Sequence, residues 1–166
     1  MLTLSPRELL TTTRAVRKRL DLTRSVDRKV IEERITIARQ APNASNMQNW
    51  HFVIVGDSNK KARLAKLFRK GWETYVNRPN AAGNLKFDDP RRKATQLKIM
   101  SSAQYLAEHL KEVPIHVIPC VTPRTDLGQT VATQRAALIP VAYTIGTDFR
   151  PALREPIQKV MHWDRW

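Results

Sequence analysis

The chain has 166 residues, a length that gives room for one domain with one substantial core. Its apolar fraction of 42% and charged fraction of 27% are those of a globular protein, and no apolar run approaches bilayer-spanning length. The formal charge of +14 is the outlier, and it points toward anionic partners: phosphorylated small molecules, nucleic acids or anionic surfaces. No basic tail stands apart and no helix-turn-helix, zinc-finger or RNA-recognition pattern occurs, so no specific nucleic-acid site is expected.

Ser5, Pro6 and Glu8 form a capping box with proline at the first helical position, and no signal-peptide pattern precedes them. The first helix is expected to run through Leu9 and Leu10 toward Val16, which would set Arg14 and Arg17 three residues apart on one side of a helical turn. A second helix, carrying Val30, Ile31, Ile35 and Ala38, starts at the N-cap Asp27 and stops near Gln40 because Pro42 cannot continue it. Residues 50 to 55, Trp-His-Phe-Val-Ile-Val, are rich in β-formers and closed by Gly56, and read as a mostly buried strand. Between helix and strand lies Pro42-Asn43-Ala44-Ser45-Asn46-Met47-Gln48-Asn49, a run of amides and a hydroxyl. Such a run can present donors and acceptors to a flat polar ring, or can be an ordinary connection whose Asn and Ser make turns.

A third helix, capped at Asp57 or Ser58, carries Ala62, Leu64, Ala65, Leu67, Phe68, Trp72 and Tyr75. Residues 77 to 90 are polar and rich in breakers, hence a loop, and a fourth helix with Leu97, Met100, Ala103, Leu106 and Leu110 ends before Pro114. Two more strands are expected at residues 115 to 121 and 136 to 143. The link at 121 to 135 offers only Leu127 and Val131 as sizeable apolar side chains between Pro123 and Arg135. A parallel pair of strands would need a helical crossover there, which this link cannot supply. Cys120, the single cysteine, excludes a disulfide framework and reads as a small buried hydrophobe of a protein at home in a reducing cytoplasm. No catalytic triad, carboxylate pair or metal-ligand cluster is visible; His51, His109, His116 and His162 are scattered.

Residues 12 to 21, Thr-Thr-Arg-Ala-Val-Arg-Lys-Arg-Leu-Asp, taken with the 41 to 50 loop, resemble the N-terminal half of the FMN-dependent nitroreductase family, which carries an Arg-Ser-x-Arg-like element, a helix, then an Ala-Pro-x-x-x-Asn-x-Gln-x-Trp loop leading into a strand. Residues 136 to 143, Arg154-Glu155-Pro156-Ile157 and the closing residues 162 to 166 resemble that family's last strand and C-terminal tail. The resemblance covers about residues 8 to 121 and 133 to 166; the family's core helical segment is missing between about 128 and 133.

This resemblance implies an α+β, three-layer fold with a central mixed, mainly antiparallel sheet flanked by helices, as a single shortened domain over 1 to 166 with an internal deletion near 121 to 135. It implies FMN as cofactor, with Arg14, Arg17 and Arg154 at the phosphate and the Ala15 backbone beside them, and with Pro42, Asn43, Ala44, Ser45 and Asn46 along the isoalloxazine ring, usually across a homodimer interface. Ala15 replaces a common serine, removing one hydroxyl contact. Gln48 and Trp50 would support the loop, and His109 aligns weakly with a polar ring contact. No catalytic side chain is needed, because hydride from NADH or NADPH would pass through flavin N5 to a nitroaromatic, quinone or related small-molecule acceptor. The alternative is a truncated, flavin-free remnant that acts as a basic binding module.

Overall fold

A computed structural model describes residues 3 to 42, 44 to 121, 134 to 135 and 138 to 150. Asn43, Ala136, Ala137, the 122 to 133 link and everything from residue 151, Arg154 included, lie outside the described residues. The chain divides into two compact units: Met1–Val16 with Gly146–Trp166, and Arg17–Ile145.

In the smaller unit, α1 (Pro6–Thr12) starts from the expected capping box: Ser5 Oγ accepts from the Glu8 N–H at 3.3 Å, and Glu8 Oε2 accepts from the Ser5 N–H at 2.8 Å. The helix stops at Thr12, four residues short of Val16. Thr11, Thr12 and Thr13 are β-branched, and all three hydroxyls bond back to carbonyls of the preceding turn at 2.6 to 2.8 Å, a pattern that weakens helix propagation. Arg14 and Arg17 therefore do not share a helical face; residues 13 to 17 have no helical structure.

The larger unit is built on β2 (Ile115–Val121), which is paired on both edges. On one edge β1 (Trp50–Val55) runs antiparallel to it, from Trp50↔Val121 to Val55↔His116. On the other, β3 (Gln134–Arg135) faces Cys120 and Val121, and β4 (Ile139–Val141) faces Ile115 to Val117, both antiparallel. Of the strand expected at 136 to 143, Ile139–Val141 is strand, Leu138 and residues 142 to 143 are not, and Ala136 and Ala137 lie outside the described residues. Between Cys120↔Arg135 and Val117↔Ile139 the register slips by one residue, as at a β-bulge. Pro119, which has no N–H to donate, is paired with Phe52 of β1. Antiparallel pairing also removes the need for the crossover helix that a parallel pair would require.

The helices form the outer layers. α2 (Arg28–Ala38) is capped by Asp27, whose side chain accepts from the Lys29 N–H, and it ends two residues before Gln40. Its Ile31 and Ile35, with Val26, line a cavity of about 350 Å3 against Ile54 and Ile115 on one face of the sheet. On the opposite face Val55, Ile118 and Cys120 are buried, with Leu64 of α3 (Ser58–Val76) packed on them. α3 is capped by Asp57, as expected, and α4 (Pro90–His109) begins with its proline in the first turn after the N-cap Asp89. A 3-10 turn, Leu110–Glu112, then leads into β2. No helix among the described residues is long and apolar enough to cross a membrane.

Leu110, Val113 and His116 are the largest fully buried side chains described. His116 Nε2 donates to the Leu110 carbonyl at 3.0 Å, whereas its Nδ1 is buried without a partner. Lys61 Nζ donates to the Val113 and Pro114 carbonyls at 2.9 and 3.3 Å, so two side chains together satisfy the corner before β2. Burial holds the imidazole below its ordinary pKa of 6.5, outweighing the Leu110 carbonyl bond that favours the charged form, and the Lys61 ammonium lowers it further.

A neutral His116 in the fold and an ordinary one in the unfolded chain make stability constant above about pH 6.5 and falling as pH drops below it, because the unfolded state then binds the extra proton. His116→Gln, which keeps a donor for Leu110 O, is expected to flatten that part of the stability profile measured by urea unfolding. Truncating the neighbouring Leu110 to Ala is expected to cost about 2 to 5 kcal/mol in the same assay.

Candidate functional site

The loop between α2 and β1 is where backbone conformation departs from the ordinary. It contains a 3-10 turn at Ala44–Asn46, and Ser45, Asn46 and Gln48 have φ of 51°, 51° and 46°. Those are the three non-glycine residues with positive φ among the described residues. Asparagine tolerates the left-handed region, but Ser and Gln enter it against the Cβ–carbonyl clash. Met47, between them, is 61% exposed, so an apolar side chain is held outward on a loop of amides. The shape is propped locally: Gln48 Nε2 donates to Asn46 Oδ1 at 2.9 Å. Pro42, Ser45 and Asn46 are exposed. Behind the loop, Gln48 and Trp50 line a cleft of about 380 Å3 with Ile35, Arg39, His51 and Phe52.

Arg17 belongs to the larger unit with that loop, whereas Arg14 and Ala15 belong to the smaller one. Arg17 Nη1 lies 3.5 Å from Ser102 Oγ, a marginal hydrogen bond that leaves most of the guanidinium fork uncommitted. The next residue, Lys18, donates to Ser101 Oγ at 2.6 Å, and Arg19 Nε donates to the Ile145 carbonyl at 2.7 Å. The segment is fixed further by the Leu20↔Thr144 bridge, by the Asp21 N–H donating to Tyr143 O at 2.7 Å, and by Arg24 stacked 3.7 Å over the Tyr143 ring. Sequence reasoning named Arg17 but passed over Lys18, Arg19 and the two α4 serines; the unbroken run of three cations at 17 to 19 was the available signal.

Arg14 is differently placed. Its guanidinium donates to the carbonyls of Thr13 at 2.6 Å, Thr11 at 3.2 Å and Arg150, so it ties its own unit together. Ala15 is exposed. Asn43 and Arg154 lie outside the described residues, as does the side chain of Ala44. His109 Nδ1 is 2.9 Å from Glu112 Oε2 and its ring lies 4.3 Å from that of Tyr105, contacts that occupy it on its own helix end. Cys120 is buried at 5% exposure, as a small hydrophobe would be, and no cluster of metal-ligating side chains occurs among the described residues.

If the loop is strained for a ligand and not for stability, glycine should relieve it. Ser45→Gly or Gln48→Gly is expected to raise stability by about 1 kcal/mol in denaturant unfolding, since glycine meets no clash at positive φ. A loss of stability in both would show that side-chain contacts there outweigh the strain.

The solved structures similar to this one include an oxidized iodotyrosine deiodinase bound to FMN and 3-iodo-L-tyrosine, with a TM-score of 0.61 at 15% identity over 90% of this chain and 94% of that one. A BluB-like flavoprotein from Clostridium difficile 630 matches at 16% identity over 75% of this chain, with a TM-score of 0.45. The FMN-dependent nitroreductase NfnB from Mycobacterium smegmatis, in complex with NADPH, matches at 19% identity over 69% of this chain, with a TM-score of 0.44. This chain spans 52% and 59% of the length of those last two. No curated protein matches it. The likeness to the deiodinase shows a shared fold, and the nitroreductase family model matches residues 10–138, most of the sequence including Arg14, Arg17 and the strained loop. By that match the chain belongs to the nitroreductase family.

Proposed function

We propose that this protein binds FMN and acts as an FMN-dependent oxidoreductase of nitroreductase type, passing hydride equivalents from NADH or NADPH to a nitroaromatic, quinone or related acceptor. The observation that carries the reading is the loop in which Ser45, Asn46 and Gln48 hold left-handed backbone, on the segment whose sequence resembles the family's ring-binding loop. Strain of about 1 to 3 kcal/mol per such residue persists where it serves a ligand.

The donor set suits the group. Amide and backbone groups of Ser45 and Asn46, with Pro42, Asn43 and Ala44, would meet the polar edge of the isoalloxazine ring without adding charge. The uncommitted fork of Arg17 would take the phosphate, since guanidinium donates two parallel bonds to its oxygens. Lys18 and Arg19, anchored to either side, keep the potential there positive. The family resemblance assigns Arg14 and Arg154 to the phosphate as well. When bound, the flavin would supply the redox chemistry at N5; the protein would orient it, hold its charge and exclude water.

We further propose a homodimer in a reducing cytoplasm, formed as one domain over the full chain. The apolar side chains that stay exposed on the sheet support it: Val53 at 49%, Ile54 at 42% and Ile139 at 44% exposure. The competing reading, a flavin-free basic module, draws on the short 122 to 133 link and the charge of +14.

FMN titration followed by flavin fluorescence separates the two readings. Saturable binding is expected, and Arg17→Ala is expected to weaken it by about 1.5 to 3 kcal/mol, or roughly one to two decades. Arg14→Ala is expected to do the same through the smaller unit. No binding by the unaltered protein would favour the flavin-free module.

A further inference from the structure

The cations of this chain look evenly spread in sequence, yet helix geometry gathers a group of them on one face. Between Ser58 and Trp72, α3 carries Lys60, Lys61, Arg63, Lys66, Arg69 and Lys70 and no carboxylate. Two of the six are used internally: Lys61 holds the Val113 and Pro114 carbonyls, and Arg69 Nη2 donates to the Glu108 carbonyl at 3.3 Å. The other four, Lys60, Arg63, Lys66 and Lys70, are exposed and form no ion pair among the described residues.

Their spacing of three and four places them on the side of the helix away from buried Ala65 and half-buried Leu64 and Phe68. Lys60 and Lys70 are ten residues apart, about 15 Å along the axis at 1.5 Å per residue. Like charges at such spacing repel and work against the helix, so this row does not arise from a need for folding stability. A polyanion would offset the repulsion.

From this face we infer that α3 docks on the phosphate backbone of a nucleic-acid duplex, without reading its sequence. A duplex carries one negative charge per about 1.7 Å of axis, so 15 Å presents about nine phosphates to the four cations. An anionic bilayer fits less well. An interfacial helix inserts its apolar face, and that face of α3 is already packed on the sheet and on α4, leaving only Leu67, 63% exposed, among the cations. The four cations count as phosphate contacts, which position a protein on a duplex and carry no sequence information. None of the four cations belongs to the Arg17 segment or the 42 to 46 loop, so the inference does not rest on flavin binding.

The test is fluorescence anisotropy of a labelled DNA duplex of about 20 base pairs and arbitrary sequence, with the full chain, across 50 to 200 mM salt. Each phosphate contact contributes about 0.9 to the slope of log Kobs against log salt, so four contribute about 3.6, or about 150-fold across that range. Lys60→Gln/Arg63→Gln/Lys66→Gln/Lys70→Gln is expected to lose that part of the slope while keeping its helical circular dichroism. A control with the same charge removed elsewhere, Lys29→Gln/Arg34→Gln/Lys86→Gln/Lys111→Gln, is expected to keep it. An α3 variant with an unchanged slope, a control that loses as much, or tighter binding to phosphatidylserine vesicles than to the duplex would each overturn the assignment. A strong preference among duplex sequences would overturn its sequence-indifferent character.

Discussion

β2 is the strand on which the larger unit depends, because it is hydrogen-bonded along both edges and covered on both faces. Its pairing with β1, fixed from Trp50↔Val121 to Val55↔His116, decides where β1 begins. A one-residue slip of β1 would turn Val55 away from Ile118 and Cys120, so the register is strongly held. The start of β1 is therefore a rigid post, and the Ala38 end of α2, seated on the other face through Ile31 and Ile35, is a second one. The connection from Arg39 to Asn49 has to join these posts. Left-handed backbone at Ser45, Asn46 and Gln48 is how it does so, and the scaffold on either side supplies the stability that offsets the strain.

The same arrangement separates rigid chemistry from open surface. Polar groups that matter to the fold are bonded internally: Lys61 Nζ and His116 Nε2 at the corner before β2, Asp27, Asp57 and Asp89 at helix starts. Of the groups matched to phosphate and ring binding, Arg17 is held only marginally by Ser102, and Pro42, Ser45 and Asn46 are exposed. Under the proposed function, this contrast leaves Arg17 and the loop for the flavin.

Much of the frame was legible in the sequence because local chemistry and tertiary packing agree there. Asp27 and Asp57 cap the helices they were expected to cap, β1 spans residues 50 to 55, and α4 stops before Pro114. The misses share a physical cause, namely contacts or conformations that a pattern of apolar residues does not record. Three consecutive threonines end α1 early through back-bonding, which removes the helical geometry expected for Arg14 and Arg17. Pairing direction comes from the ladder, so the antiparallel return of β4 could not be read from the composition of the 122 to 133 link. At the candidate site, the motif marked the right loop, but positive φ at Ser45 and Gln48 has no signal in residue type. Arg14 and Arg17 look equivalent in sequence; only their partners, three carbonyls against one serine hydroxyl, tell them apart.

The central claim is that the strained loop and the Arg17 segment form a flavin-binding surface. Amide hydrogen exchange with and without FMN tests it most directly, since a ligand that bonds backbone groups slows their exchange. The expected result is FMN-dependent protection of amides in residues 43 to 49 and 15 to 19, with the β1–β2 ladder unchanged. Unchanged exchange in both segments at saturating FMN, or protection confined to other parts of the chain, would contradict the assignment.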